Sequence, residues 1–112
     1  MPVPGFPNTD SVVKEFGARV RRVLGRKVEA IYWFGSRARG EGNADSDCDL
    51  LVETKRVLTP HERDGIADVS IDLAAEFGCL LDVHYYTQAE LHRPPYSRTP
   101  FVQAVMEEGV AV

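Results

Sequence analysis

The sequence predicts an α/β fold: a small β-sheet flanked by helices in a single domain spanning 1–112. Three observations carry that expectation. Apolar spacing switches along the chain in the order helix, strand, strand, helix, strand, helix, the pattern of a sheet covered by helices. The 112 residues, 44% of them apolar, suffice for one buried core and hardly for two. No internal repeat, low-complexity tract or linker interrupts them.

The first helix starts at Asp10, a good cap, and carries Val13, Phe16, Val20, Val23 and Leu24 at three-four spacing before Gly25 ends it. Its other face is basic: Arg19, Arg21, Arg22, Arg26 and Lys27 form the largest positive cluster in the sequence, and a solvated helix face is the plainer reading. The run 28–34 (VEAIYWF) is β-branched and aromatic and reads as a strand stopped by Gly35. A second strand covers 47–52. Thr59-Pro60-His61-Glu62 combines a capping-box spacing with proline at the first helical position, so a second helix should run to about Phe77, with Ile66, Val69, Leu73, Ala74 and Phe77 inward and Gly78 at its end. A third strand follows over 80–86 (LLDVHYY). Thr99-Pro100 opens a last helix through Glu108, and 110–112 can add a short edge strand.

Composition narrows the function classes. The opening residues MPVPGFPNTD have neither a basic start nor an apolar stretch, and nothing approaches the ~20 apolar residues of a membrane span, so a cytoplasmic protein without membrane attachment is expected. Cys48 and Cys79 lie far apart without CxxC spacing, which makes them small core residues rather than a disulfide framework or a zinc site. Thirteen basic against seventeen acidic residues leave a net charge of −4, which argues against general nucleic-acid binding.

The chemistry concentrates in 34–52, FGSRARGEGNADSDCDLLV. Side chains two apart on a strand share a face, with Cα atoms ~6.6 Å apart, so Asp47 and Asp49 reach toward one point while Cys48, Leu50 and Val52 face the core. Two ionised carboxylates so close are stable only with a proton or a cation between them, and an oxygen-seeking divalent metal fits best. Gly35 and Ser36, following the first strand, can offer backbone N–H groups and a hydroxyl to an anion, naturally a phosphate, while Gly40 and Gly42 loosen the return.

This stretch resembles the nucleotidyltransferase superfamily that includes DNA polymerase β, and within it the minimal nucleotidyltransferases. Gly35-Ser36, Gly40 and Ser46-Asp47-Cys48-Asp49-Leu50 match the family pattern in order and spacing, and Asp82 on the third strand stands where the further acid is expected. The resemblance implies a polymerase β-like fold with a mixed sheet. It implies that Asp47, Asp49 and Asp82 are catalytic and bind two Mg²⁺ ions, with Mn²⁺ as a substitute, Asp82 also serving as base. Gly35 and Ser36 would hold the β and γ phosphates of ATP, and Arg37 or Arg39 would neutralise departing charge, although exposed loop charges explain those arginines equally well. His84 shares the face of Asp82, yet a strand histidine is more often structural, and it is assigned no catalytic role. Tyr32, Trp33, Phe34, Tyr85 and Tyr86 usually would fill the core, with only alternate positions free to meet a base.

The resemblance further implies a partner. Minimal nucleotidyltransferases of this kind are commonly paired with a small helical protein of the HEPN ribonuclease type, in a toxin–antitoxin system where AMP is added to a partner tyrosine. Two other classes stand beside that expectation: an antitoxin acting by binding alone, and a small-molecule nucleotidyltransferase of the aminoglycoside type. Three clustered, mutually repelling acids favour chemistry over pure binding, and the lack of residues for an acceptor domain disfavours the small-molecule class. Nucleotide preference, acceptor identity and homo-oligomerisation stay open.

Overall fold

The computed structural model describes residues 9–35, 38 and 47–112. Helix α1 (Thr9–Leu24) leads through a single 3₁₀ turn into strand β1 (Val28–Phe34), which is followed by β2 (Cys48–Thr54), α2 (Pro60–Phe77) and β3 (Leu81–Thr87). A short helix α3 (Gln88–His92), α4 (Pro100–Glu108) and a two-residue strand β4 (Val110–Ala111) complete the order. The sheet runs β3-β2-β1-β4. β1 is antiparallel to both β2 and β4, whereas α2 carries the chain over so that β2 and β3 lie parallel. The result is the mixed sheet flanked by helices that the sequence implies.

β2 is central, and its burial explains the sheet. Its residues from Leu50 to Thr54 are all buried. Leu50 and Val52 face the larger core, where Val13, Phe16, Val20 and Leu24 of α1 and Ile66, Val69 and Leu73 of α2 converge. Leu51 points the other way, into a smaller cluster with Leu91, Val102 and Val105 under α3 and α4. Two of the stripe residues expected to be inward differ: Val23 is 44% exposed, and Phe77 packs only at the margin of the core.

Helix ends follow their sequence signals closely. The Thr59 hydroxyl accepts from the Glu62 N–H while the Glu62 carboxylate accepts from the Thr59 N–H, and Gly78, left-handed at φ +67°, closes α2. α1 begins at Thr9, so Asp10 lies within the helix rather than before it. The strands from Asp47 and Leu80 each begin one residue later than expected, at Cys48 and Leu81. α3 was not foreseen, although Thr87-x-x-Glu90 repeats the same capping-box spacing and forms the same reciprocal hydrogen bonds.

The two cysteines, far apart in sequence, meet in space. Cys48 and Cys79 are both buried and not joined in a disulfide, with their sulfurs 3.0 Å apart beside Val12. The basic face of α1 is partly engaged: Arg19 bridges Glu15 and Glu76, linking α1 to α2, and Arg21 donates to the Val112 carbonyl. Among the described residues no helix is long and apolar enough to cross a membrane.

Glu62 joins two of these features, because its second oxygen meets the Lys27 ammonium. Lys27 first, and then the Thr59 N–H, hold its carboxyl down from the ordinary 4.5 to about 2. A depressed carboxyl stabilises the fold fully above its unfolded pKa and loses that contribution as pH falls from about 4.5 toward 2. Glu62→Gln should therefore flatten the acid limb of a urea-unfolding series over that range. Thr59→Ala should cost about 1 kcal/mol at neutral pH in the same measurement.

Candidate active site

The carboxylates come together because of strand register. In the parallel β2–β3 pair, Asp49 stands opposite Asp82; on its other side, in the antiparallel β1–β2 pair, Asp49 stands opposite Phe34. Neighbouring strands are ~4.8 Å apart, so the sheet presents Asp82, Asp49 and the end of β1 as adjacent columns at one edge. Alternation fixes the face. Asp49 shares the side of Leu51, and Asp82 that of His84 and Tyr86, the side covered by α4. Asp49 is half-buried and Asp82 exposed, while Asp47 sits exposed immediately before β2.

Gly35 closes the constellation from β1. Its φ of +85° is left-handed, and a Cβ built there would stand 2.1 Å from Asp49 Oδ2. Only glycine meets both demands, so the main chain at the strand end lies directly against the Asp49 carboxylate. Ser36, Arg37, Arg39, Gly40 and Gly42 fall outside the described residues.

Asp82 has a neighbour that sequence reasoning set aside. His84 Nε2 lies 3.3 Å from Asp82 Oδ2. The imidazole packs against Phe101 of α4 (centroids 4.9 Å apart) and Phe34 of β1 (6.0 Å), and the two phenylalanines meet edge to face at 5.6 Å. Phe34, His84 and Phe101 thus form an aromatic floor tying α4 to the strands that bear the acids. Strand alternation placed His84 on this face, but no local pattern in the sequence pointed to Phe101.

A second carboxylate on the same face of β2 is of a different kind. Glu53 is 2% exposed; its oxygens lie 3.3 Å from the Tyr32 hydroxyl, which donates, and 3.3 Å from His92 Nε2. Burial first, and the Glu53 charge second, push the Tyr32 phenol above its ordinary value of 10.0. Glu53 is enclosed by partners, whereas Asp82 opens to solvent. Among the described residues no three His, Cys, Asp or Glu side chains converge closely enough to form a ready metal centre.

The profile of the nucleotidyltransferase domain family matches residues 13–112. The chain belongs to that family. As a nucleotidyltransferase it is similar to a protein of Methanocaldococcus jannaschii that carries the provisional name of a protein adenylyltransferase, 27% identical over 90% of this chain and 95% of the relative. Among solved structures, one described as a minimal nucleotidyltransferase superposes with a TM-score of 0.60 at 23% identity, covering 92% of this chain and 94% of the other. A toxin–antitoxin structure with AMP-PNP gives 0.60 at 22%, covering 93% and 71%. A complex described as a tri-AMPylated Shewanella oneidensis HEPN toxin with its MNT antitoxin gives 0.58 at 19%, covering 91% and 69%. At these identities the structural matches establish the nucleotidyltransferase fold.

The close approach at Gly35 gives a direct test. Gly35→Ala should lose about 1–3 kcal/mol of stability from the left-handed backbone alone, with the Asp49 carboxylate forced to move. Urea unfolding together with a nucleotide-binding titration checks it, and the expected result is loss in both.

Proposed function

We propose that this nucleotidyltransferase transfers AMP from ATP, with Mg²⁺, to a tyrosyl hydroxyl of a HEPN-type helical partner, as the antitoxin of a toxin–antitoxin pair. The observation that carries the reading is the register pairing of Asp49 with Asp82 beside the glycine at the end of β1. Adjacent carboxylates at an open sheet edge offer hard oxygen donors and a charge that favours a divalent cation, so the residues fit Mg²⁺ or Mn²⁺. Asp47, Asp49 and Asp82 would hold two such ions. Bound there, they would supply charge neutralisation for the triphosphate and a more acidic acceptor hydroxyl.

The remaining roles fall to the chain's own groups. Gly35 and Ser36 would orient the β and γ phosphates through main-chain N–H groups and the serine hydroxyl. The acceptor oxygen attacks the α-phosphorus and forms the new P–O bond, the bond to the β-phosphate oxygen breaks, and pyrophosphate departs in line. Asp82, at the solvent-facing column, would take the hydroxyl proton. Arg37 or Arg39 would balance charge on the leaving pyrophosphate. A macromolecular acceptor is supported by the relatives: one is named for protein adenylylation, and another is described as the antitoxin bound to an AMPylated HEPN toxin.

Two experiments decide the reading. Calorimetry should show ATP binding with Mg²⁺ or Mn²⁺ that disappears in excess chelator, and equal affinity without metal would rule out the carboxylate-held cation. Co-expression with a helical HEPN-type protein, followed by intact mass analysis, should show that partner heavier by one or more AMP units, with the gain absent for Asp47→Asn and Asp49→Asn. Asp47→Asn should melt no lower than wild type, because it removes like charge at an exposed position. If the partner is neutralised without added mass, and Asp49→Asn protects cells equally well, binding alone is the mechanism.

A further inference from the structure

Four basic residues that the active site leaves unused assemble at the opposite end of the sheet. Arg26 and Lys27 precede β1, and Lys55 and Arg56 follow β2; the Lys55 N–H donates to the Lys27 carbonyl (2.9 Å), which clamps the two segments together beyond the last rung of the ladder. The buried Thr54 hydroxyl donates to the Arg56 carbonyl (2.8 Å) and fixes the turn that carries Lys55 and Arg56. With Leu24 as an apolar floor, these four residues line an open depression of about 410 Å³. Lys27 is paired with Glu62. Among the described residues Arg26, Lys55 and Arg56 have no acidic partner, and all three are exposed. A chain of net charge −4 therefore concentrates three uncompensated cations in one preorganised hollow.

We propose that this hollow is a binding site for an oligophosphate, a run of adjacent phosphate groups, separate from the carboxylate site. Two guanidinium forks suit phosphate oxygens, which they can engage in pairs, and the lysine ammonium adds a compact charge. Three cations match the charge density of linked phosphates better than that of a lone carboxylate. Among the described residues no aromatic side chain lines the hollow, so the site offers contacts to phosphate and no stacking surface for a base. The seven-residue strands set it roughly 20 Å from Asp49 and Asp82, too far for one triphosphate to bridge the two sites. The site needs no metal, which separates it functionally from the acidic edge and makes it independent of the transfer reaction proposed above.

The test is calorimetric titration of the full chain with tripolyphosphate in metal-free buffer. Wild type should bind, and binding should weaken as NaCl rises from about 50 to about 200 mM. Arg26→Ala/Arg56→Ala should weaken it by about tenfold or more, while Arg22→Ala, an exposed cation outside the hollow, leaves it unchanged. Should the double variant melt early, Lys55→Gln at the exposed turn reads the same direction. Absence of binding by wild type, or equal loss in Arg22→Ala, overturns the proposal. A single-stranded oligonucleotide that displaces tripolyphosphate assigns the phosphates to a nucleic-acid backbone; failure to displace it assigns them to a free oligophosphate.

Discussion

Asp49 and Asp82 are fixed side by side on parallel strands, and that register is the constraint on which the rest of the site depends. A slip of one residue in either strand would turn one of the two side chains to the other face. Here β2 is clamped between two cores, Leu50 and Val52 on one side and Leu51 on the other, while β3 is tied across to α4 by the His84–Phe101 contact. The hydrophobic terms that hold each row act over many side chains, so the register is set by the two cores and not by the carboxylates themselves.

The same sheet separates charge along its length. Its acidic edge gathers Asp49 and Asp82, with Asp47 just before the strand, and its far end gathers Arg26, Lys55 and Arg56. Between them lies Glu53, satisfied by Tyr32 and His92 and so withdrawn from solvent. The proposed nucleotide site and the proposed oligophosphate site would thus lie at opposite ends of one sheet, each drawing on local and not on overall charge.

The parts of this arrangement that were legible in the sequence are those set by short-range rules. A period of two set Cys48, Leu50 and Val52 against the core, although Asp47 falls before the strand; Gly35 at a strand end marked a backbone position, and Thr59-x-x-Glu62 with Gly78 bounded α2. What escaped depends on contacts between distant segments. The second core that buries Leu51 is one such feature, because alternation cannot tell a half-buried strand from one covered on both sides. Cys48 and Cys79 looked unrelated, and Glu53, His92 and Phe101 carried no local pattern. Lys55 and Arg56 join Arg26 only through the β1–β2 register. α3 escaped for a different reason: its signal was present at Thr87 and Glu90, but five residues make too short a periodic stripe to weigh against the flanking loop.

The crossover through α2 bears on how the protein comes to be folded. The β1–β2 hairpin is antiparallel and joins strands consecutive in the chain, yet it contains only one member of the acidic pair. Asp82 arrives when α2 has docked and β3 has closed a non-local parallel ladder, a kind of pairing that forms late because its loop entropy is lost before its contacts are gained. A chain caught partway, on the ribosome or after local opening of β3, therefore carries a hairpin with Asp49 but without Asp82 opposite it. Completion of the native topology and assembly of the carboxylate pair are then one event, so nascent or damaged copies lack that pair until the sheet is complete.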